Sequence, residues 1–162
     1  MANEESDTVS VLDAASFKTM TTVRVGQMPH NVQVSPNGSR VWVTNNVEPA
    51  PAGASPVPQG MAKGGNAAMP KPGAVWAIDT GSGALVAKVP VGLHPTHIVQ
   101  TPDGRFADVT NGGDNTVSVI DASAQRVVAT IPVGKFPHGI RFSQDGKHAI
   151  PAVLPREQRS SP

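Results

Sequence analysis

The chain of 162 residues contains no cysteine, so it has neither disulfides nor the thiolate ligands of many metal sites. This absence does not fix the compartment, because many exported proteins also lack cysteine. An excess of charge of one sign is missing too, since 13 lysines and arginines stand against 12 aspartates and glutamates with no dense basic run. The clustered positive charge that is typical of nucleic-acid-binding proteins is therefore absent, and we expect no DNA or RNA partner.

Long apolar stretches are also missing. No segment approaches the length of about 18 apolar residues that a membrane span needs, so we expect no membrane insertion. The N-terminal residues MANEESDTVSVLD have neither the basic start nor the apolar region of a signal peptide. If the chain is complete as written, it is expected to stay in the cytoplasm.

Glycine and proline are plentiful, with 16 of each, which is typical of a chain with many turns and few long helices. A thirteen-residue motif occurs three times, and its copies begin 66 and then 42 residues apart. The copies read GQMPHNVQVSPNG at 26–38, GLHPTHIVQTPDG at 92–104 and GKFPHGIRFSQDG at 134–146. The basic period is therefore 42 residues, and the first interval contains 24 more.

Each repeat predicts four short antiparallel strands. The strand with the Pro-His motif ends in a tight turn that leads to a hairpin partner. The glycines of these turns are Gly38, Gly104 and Gly146. The third strand ends at an aspartate that is expected to cap a turn. These aspartates are Asp13, Asp79 and Asp121, and their identical recurrence favours a structural role over a catalytic one.

The fourth strand contains Pro90 or Pro132 and is expected at the sheet edge, because proline cannot donate to a ladder. Four-stranded antiparallel meanders at a period of 42 predict an all-β fold made of β-propeller blades. A β-solenoid or a β-sandwich is the alternative.

The segments VWVTNN at 41–46 and DVTNGGDNTVSVIDA at 108–122 resemble the YVTN-type β-propeller repeats of bacterial and archaeal proteins. The resemblance covers the chain outside 46–73 and the last dozen residues. It implies a propeller fold and, for an intact relative, a location in the periplasm or at the cell surface. Similar repeats occur in the haem d1 propeller of nitrite reductases, so the resemblance does not fix one function.

The repeats are expected over residues 1–153, with units near 2–45, 73–111 and 112–153. Residues 46–73 are rich in proline, glycine and alanine and are expected to form a flexible surface insertion. Residues 154–162 match nothing in the repeat and are expected to form an irregular tail.

An arc of about three blades cannot close a ring, because propellers typically need four to eight. The chain is expected to begin with the third and fourth strands of one blade. Pairing is expected to fail at Pro151, which falls where the last repeat needs an internal strand. Three alternatives remain: a truncated part of a larger propeller, which we favour, an arc completed by another copy, or an open arc. We expect a protein partner or self-association to complete the ring.

Four of the five histidines lie in the repeated motif. His30, His97 and His138 would come from successive blades and meet at the mouth of the central channel. The insertion leaves from the same face and contains Met61 and Met69. Imidazole suits copper, zinc or iron and thioether suits copper(I), so these five residues are candidate ligands of copper, another transition metal or a haem. In the interpretation that we favour at this stage, the histidines bond to neighbouring turns, the methionines are incidental and no cofactor is bound.

Two further positions complete the sequence-based expectations. Trp42 and Trp76 are expected to pack in the core or to cover a sheet face. Asp108 occupies the position of Trp42 in the next repeat and is expected to face solvent or a neighbouring loop.

These patterns predict a protein that is not an enzyme. It would be a propeller repeat protein that acts as a binding or interaction scaffold. The alternative function is a periplasmic metal- or haem-binding propeller, related to a redox enzyme, that uses the histidines at the channel mouth.

Overall fold

A computed structural model of the chain describes residues 1–47 and 72–153. Within these ranges the fold is all-β, with four antiparallel sheets and one short 3-10 helix at Glu4–Ser6. We number the sheets as blades in chain order. The described residues contain no helix with the length and apolar character that a membrane span requires.

The first blade contains β1 (Ala2–Asn3), β2 (Thr8–Leu12) and β3 (Thr19–Arg24). The second blade contains β4 (Gln27–Val34), β5 (Arg40–Val47), β6 (Ala74–Asp79) and β7 (Leu85–Pro90). The third blade contains β8 (Pro95–Gln100), β9 (Phe106–Asn111), β10 (Thr116–Asp121) and β11 (Arg126–Pro132). The fourth blade contains β12 (Pro137–Phe142) and β13 (Ala149–Val153).

The second and third blades are simple meanders in which each strand pairs with the next along the chain. The inner strands β4, β8 and β12 lie beside one another, so the blades are arranged around a common axis. Pro90 and Pro132 end the outermost strands, as the sequence predicts. The described blades form an open arc, which confirms the predicted all-β, incomplete propeller.

The core consists of the apolar layers between successive blades. Trp42 and Val43 are neighbours on β5, and their fully buried side chains point to opposite faces of the second blade. Trp42 packs with Ile98 and other residues of the third blade, whereas Val43 packs with Val9 of the first. Burial of each large apolar side chain stabilises the fold by about 1.5–3 kcal/mol.

Buried threonines join the inner strands of adjacent blades. Thr44 Oγ1 donates to Thr96 O at 3.0 Å, and Thr110 Oγ1 donates to His138 O at 2.7 Å. Thr44 and Thr110 occupy the same position in successive repeats, so the same bond recurs from blade to blade. These bonds fix the backbone on which the candidate histidines lie.

The recurrent turn residues have closely similar environments in each repeat. Gly38, Gly104 and Gly146 have φ values of 73°, 71° and 69°, a region that glycine enters without steric cost.

Each recurrent aspartate accepts hydrogen bonds from the serine hydroxyl and backbone of its own turn. The pairs are Asp13 with Ser16, Asp79 with Ser82, and Asp121 with Ser123. These bonds hold the pKa of each carboxyl below its ordinary value, and at Asp121 the N–H of Ala124 makes the largest contribution.

Both ends of the arc differ from the prediction. The first blade was expected to begin with its third strand, but it contains part of its second strand as well, where Asn3 Nδ2 donates to Thr8 Oγ1 and Ser10 Oγ at 3.0 and 2.8 Å.

At the other end of the arc β13 does form, with Pro151 opposite Ile140, so the expected failure of pairing is wrong. Among the described strands β13 pairs only with β12, and a proline is tolerated because the second ladder that would need its N–H is absent.

Asp108 also departs from its expectation. The side chain is 8% exposed, so the prediction that it faces solvent or a loop is wrong. It lies in β9 at the position that Trp42 has in β5, on a face that packs against a neighbouring blade. Burial raises the pKa of its carboxyl to about 6.

Most of the insertion at 46–73, both Met61 and Met69, and the tail at 154–162 lie outside the described residues. The predictions made for them therefore stay predictions.

Candidate histidine site

Three imidazole rings from three successive inner strands form one cluster, which we call the histidine cluster. His30 lies in β4, His97 in β8 and His138 in β12. The ring centroids are 5.5 Å apart for His30 and His97, 5.3 Å for His30 and His138, and 4.7 Å for His97 and His138. The structure therefore brings together the three histidines that the sequence singles out.

The cluster forms although its members are not equivalent in the repeat. His30 and His138 share one motif position, where the third blade has Thr96, and His97 follows one residue later. The inner strands contain a β-bulge at this point, so that Thr96 and His97 together oppose Thr110. A bulge changes the direction of the side chains beside it, which allows residues at unequal positions to meet.

Each inner strand begins beside a residue in the left-handed backbone region. Met28, His94 and Phe136 have φ values of 52°, 53° and 53° at equivalent positions. The N–H of Met28 is bound by Asp7 Oδ1 at 3.0 Å, and that of Phe136 by Asn115 Oδ1 at 2.8 Å. Non-glycine residues adopt this conformation at a cost, and the surrounding bonds maintain it beside the histidine cluster.

The tautomer of His30 follows from its hydrogen bond. Its Nδ1 lies 3.1 Å from the carbonyl oxygen of Thr96. A carbonyl only accepts, so Nδ1 has the proton in this bond and Nε2 of a neutral ring keeps a lone pair. His30 is thus oriented by the next blade and retains one donor atom for a ligand.

His97 is more deeply buried than His138. Its Nδ1 is buried, and no described group forms a hydrogen bond with it. Burial lowers the pKa of the imidazole, and the positive charges of His138, His30 and Arg141 lower it further. The ring therefore favours the neutral form, in which one nitrogen can bind a ligand.

The pKa of the His138 imidazole is lowered as well. Burial lowers the pKa of its imidazole, followed by repulsion from protonated His30 and His94. His94 also lies beside Phe136, with ring centroids 6.4 Å apart. A fourth histidine is therefore near the cluster, although its motif position differs from those of the other three.

A groove of about 310 Å³ borders the cluster along the inner strands. Its lining includes His97, Arg141, Asn31 and Gln33. The groove thus combines an imidazole, a guanidinium and two amides. This polar wall could hold the carboxylate or carbonyl groups of a bound molecule next to the imidazoles.

The three imidazoles of the cluster are suitable ligands for a transition metal, but the described residues do not form a complete coordination site. Two imidazoles on one tetrahedral ion have centroids about 5 Å apart, given metal–nitrogen bonds of about 2.0–2.1 Å. The ring separations of the cluster are close to that value. Within residues 1–47 and 72–153, however, no group of three His, Cys, Asp or Glu side chains has the geometry of a metal site. The rings would have to turn to coordinate one ion, and Met61 and Met69 lie outside the described residues.

Several residues around the cluster escape the sequence reasoning. Thr44 and Thr110 support it, and the repeated VTN triplet is the signal that could have found them. Arg141 and His94 act on the histidines through charge. Both lie within the repeated motif, but the other copies have uncharged residues at their positions, so the repeat gives no signal for them. Their contribution depends on which strands become neighbours.

Comparison with solved structures places this fold among known propellers. The chain is similar to the hydrazine synthase of Kuenenia stuttgartiensis, with a TM-score of 0.73 and 23% identity over 93% of this chain and 37% of that one. It is also similar to the dihydro-heme d1 dehydrogenase NirN in complex with DHE, with a TM-score of 0.59 and 19% identity over 85% of this chain and 26% of that one. No protein-family model matches the sequence, and no curated protein matches it significantly.

These likenesses correct one prediction. The expectation that the chain is not an enzyme is contradicted, because both similar structures are enzymes by name, a synthase and a dehydrogenase. Identities of 23% and 19% show a shared β-propeller fold. The chain spans only 37% and 26% of those proteins, so what the whole proteins do bears on this chain only as a proposal.

Proposed function

We propose that the chain is the cofactor-binding arc of a β-propeller redox enzyme, and that a transition metal or a haem-type group binds at the histidine cluster. The observation that carries the proposal is the convergence of His30, His97 and His138, from three successive blades, to ring separations of 4.7–5.5 Å. When bound, such a group would supply one-electron chemistry that amino-acid side chains do not perform readily.

The chain's own residues would prepare the cluster for this group. The lowered pKa of His97 and of His138 keeps both rings neutral near pH 7, so that neither must first lose a proton. The bond from His30 Nδ1 to Thr96 O orients that ring, as hydrogen bonds to the second nitrogen do in many metal sites. The groove with Arg141 gives an adjacent surface for the polar groups of a larger cofactor.

The comparisons support the proposal in outline. One of the similar proteins is a dihydro-heme d1 dehydrogenase, and both similar proteins are enzymes by name. Membership of the YVTN-type repeat family, and a periplasmic location, are parts of the same proposal. They rest on the repeated sequence motifs alone.

Metal binding is tested by adding copper(II) sulfate to the purified 162-residue chain at pH 7.5 and recording electron paramagnetic resonance spectra. We expect one bound ion with hyperfine splitting from nitrogen ligands. His97→Ala and His138→Ala should each weaken binding at least tenfold. His148→Ala is the matched control, because His148 is exposed and belongs to the last hairpin turn. Equal binding by the two cluster variants and the wild-type chain would refute a metal role for these residues.

Haem binding is tested separately with haemin and visible absorption spectroscopy. We expect a saturable shift of the Soret band that His30→Ala and His97→Ala reduce and His148→Ala leaves unchanged. A spectrum that responds identically in all variants would show binding elsewhere on the chain. The cluster would then have no cofactor role if copper binding failed as well.

Completion of the ring is the second part of the proposal. Apolar positions at both ends of the arc are exposed, whereas equivalent positions between two blades are buried. Leu12 is 46% exposed, whereas Ile120 at the same repeat position is fully buried. Ile150 is 59% exposed, whereas Trp42 at its equivalent position is fully buried. Further blades would cover these positions, from additional sequence, a partner protein or a second copy. Light scattering of the purified chain separates a discrete dimer from a monomer, and a monodisperse, cooperatively melting monomer would refute self-association.

A further inference from the structure

The junction between the third and fourth blades is partly uncovered. Among the described residues the fourth blade has two strands, whereas the second and third blades have four each, so β13 has one edge without a neighbouring strand in this part of the chain. On the facing side of the third blade Val119 is half-buried, whereas Ala77 at the equivalent position of the second blade is fully buried. We call the free edge of β13, together with this face of the third blade, the open junction.

Asp108 points into the open junction. Its neighbours on β9, Ala107 and Val109, pack in the cluster between the second and third blades. Because side chains alternate along a strand, Asp108 points to the opposite face, toward the fourth blade. Trp42 has the equivalent position on β5 and packs against the third blade in the same way.

The carboxylate of Asp108 has no partner among the described residues. The side chain is 8% exposed, and burial alone raises the pKa of its carboxyl, with no contribution from a hydrogen bond or a neighbouring charge. Its oxygens nevertheless remain accessible to water, whereas Nε1 of Trp42 at the equivalent position is closed off. Aspartate is rarely buried to this extent without a partner, so the position requires an explanation.

The described side chains that face Asp108 are apolar. Val99 and Val119 are its neighbours on the adjacent strands of the third blade. Ile140 of β12 and Pro151 of β13 are paired with each other and, by their repeat positions, lie across the junction. None of these side chains can neutralise a carboxylate or donate a hydrogen bond to it.

The preceding junction shows which position of a complete fourth blade would meet Asp108. There Trp42 packs in one cluster with Ile120, which belongs to the third strand of its blade. The third strand of a complete fourth blade would therefore bring the residue at the Ile120 position against Asp108. Aspartate is much smaller than tryptophan, so the junction has room for a longer side chain from that strand.

A second copy of the chain does not provide a suitable residue. Its β2 would be the equivalent third strand and would place Leu12 at this position, leaving the carboxylate unpaired against an apolar group. An arginine instead fills the space and donates two parallel hydrogen bonds to a carboxylate. Charge and volume therefore both favour a strand with a long cationic side chain.

We propose that the open junction binds a β-strand of a partner polypeptide, which pairs with β13 and places an arginine against Asp108. The inference rests on the completion of the ring proposed above, and it adds the chemistry of the completing strand. Pro151 has no N–H to donate, so the main-chain pairing along β13 lacks one hydrogen bond. The ion pair with Asp108 then determines which strand is selected.

The test uses the 162-residue chain and synthetic peptides with the sequence of residues 112–132, which contains the third and fourth strands of a complete blade. Three fluorescein-labelled peptides have the substitution Ile120→Arg, Ile120→Met or Ile120→Glu. Fluorescence anisotropy at about pH 7.5 measures their affinities. We expect the arginine peptide to bind about tenfold more tightly than the methionine peptide, which has a long side chain without charge. The glutamate peptide should bind most weakly.

Asp108→Asn keeps the shape of the side chain and removes its charge. We expect this variant to lose about tenfold in affinity for the arginine peptide and to bind the methionine peptide as the wild-type chain does. Glu4→Gln is the matched control, because it removes an exposed carboxylate of the first blade and should leave all affinities unchanged. If Asp108→Asn does not fold, the comparison of the three peptides on the wild-type chain decides the question.

Three results would overturn the proposal. Equal affinities of the arginine and methionine peptides would show that Asp108 does not select the strand, although the ring could still be completed by strand addition. Equal binding of the arginine peptide by the wild-type chain and folded Asp108→Asn would show the same. Binding of none of the peptides would mean that the edge of β13 is already covered, and light scattering would identify a second copy as its occupant if the chain is a dimer.

Discussion

The imidazole rings of His97 and His138 lie 4.7 Å apart although the two residues occupy different positions in the repeated motif. A bulge in β8 places two residues opposite Thr110, and the hydroxyl of Thr110 accepts from His97 N and donates to His138 O. One threonine thus holds the backbone of both histidines. The cluster follows from the way in which adjacent inner strands are joined.

Protonation of His97 should couple the cluster to stability. The folded-state pKa of this imidazole lies below its ordinary value of 6.5, chiefly because it is buried. As pH falls below 6.5, the unfolded chain binds a proton before the folded chain does, so the free energy of unfolding decreases. We expect the urea midpoint of the wild-type chain to fall relative to that of His97→Asn between about pH 7.5 and about pH 5, because the contribution of Asp108 is the same in both chains and cancels in this comparison.

His148→Asn serves as the control for this experiment, because the residue is exposed and lies in the last hairpin. It should keep the wild-type slope of the urea midpoint against pH. An unchanged slope in His97→Asn would show that other groups cause the acid sensitivity.

Asp108 should have the opposite pH dependence. Its pKa is raised to about 6 by burial, so the folded chain binds a proton more tightly than the unfolded chain does. The free energy of unfolding therefore decreases as pH rises from about 4 to about 6. Asp108→Asn removes the buried negative charge at nearly constant volume. We expect it to stabilise the chain by about 2–3 kcal/mol at about pH 7.5 and to have little effect at about pH 4.

Urea unfolding of both proteins at the two pH values measures this difference. Glu4→Gln is the control, because Glu4 is exposed and its replacement should change neither value. Equal destabilisation by Asp108→Asn at both pH values would mean that the carboxylate makes a favourable bond in the folded chain.

Gly92 should not tolerate a side chain. Its N–H is bound by Asn111 Oδ1 at 3.2 Å, and an added Cβ would lie 2.7 Å from Asn111 Cγ and would collide with the Asp114 carboxylate. Asn111 is fully buried and bonded to Ser118, so it cannot move away readily. We expect Gly92→Ala to lower the free energy of unfolding by about 1–3 kcal/mol.

Gly81→Ala is the matched control, since its Cβ would meet only Asp79 Oδ1 at an ordinary distance of 3.5 Å. Thermal melts of the two variants measure the contrast. A melting temperature of Gly92→Ala equal to that of Gly81→Ala would show that the loop between blades adjusts without cost.

Local sequence determines the structure of a single blade. Alternation in HNVQV and RVWVTN sets which residues face each neighbouring blade, and Gly38 and Asp79 end the strands through local backbone chemistry. These relations act over a few residues, and the 42-residue period repeats them. The all-β, incomplete propeller could therefore be predicted, as could the edge position of Pro90 and Pro132.

The contacts between blades depend instead on the folded arrangement of whole sheets. His30 meets Thr96 across 66 residues of sequence, and Arg40 meets Ala122 across 82. Asp108 is buried although the sequence suggests a surface position. Contacts of this kind depend on the bulge, the tilt and the packing of the sheets. Those features arise from the summed burial of many side chains, and no short motif specifies them.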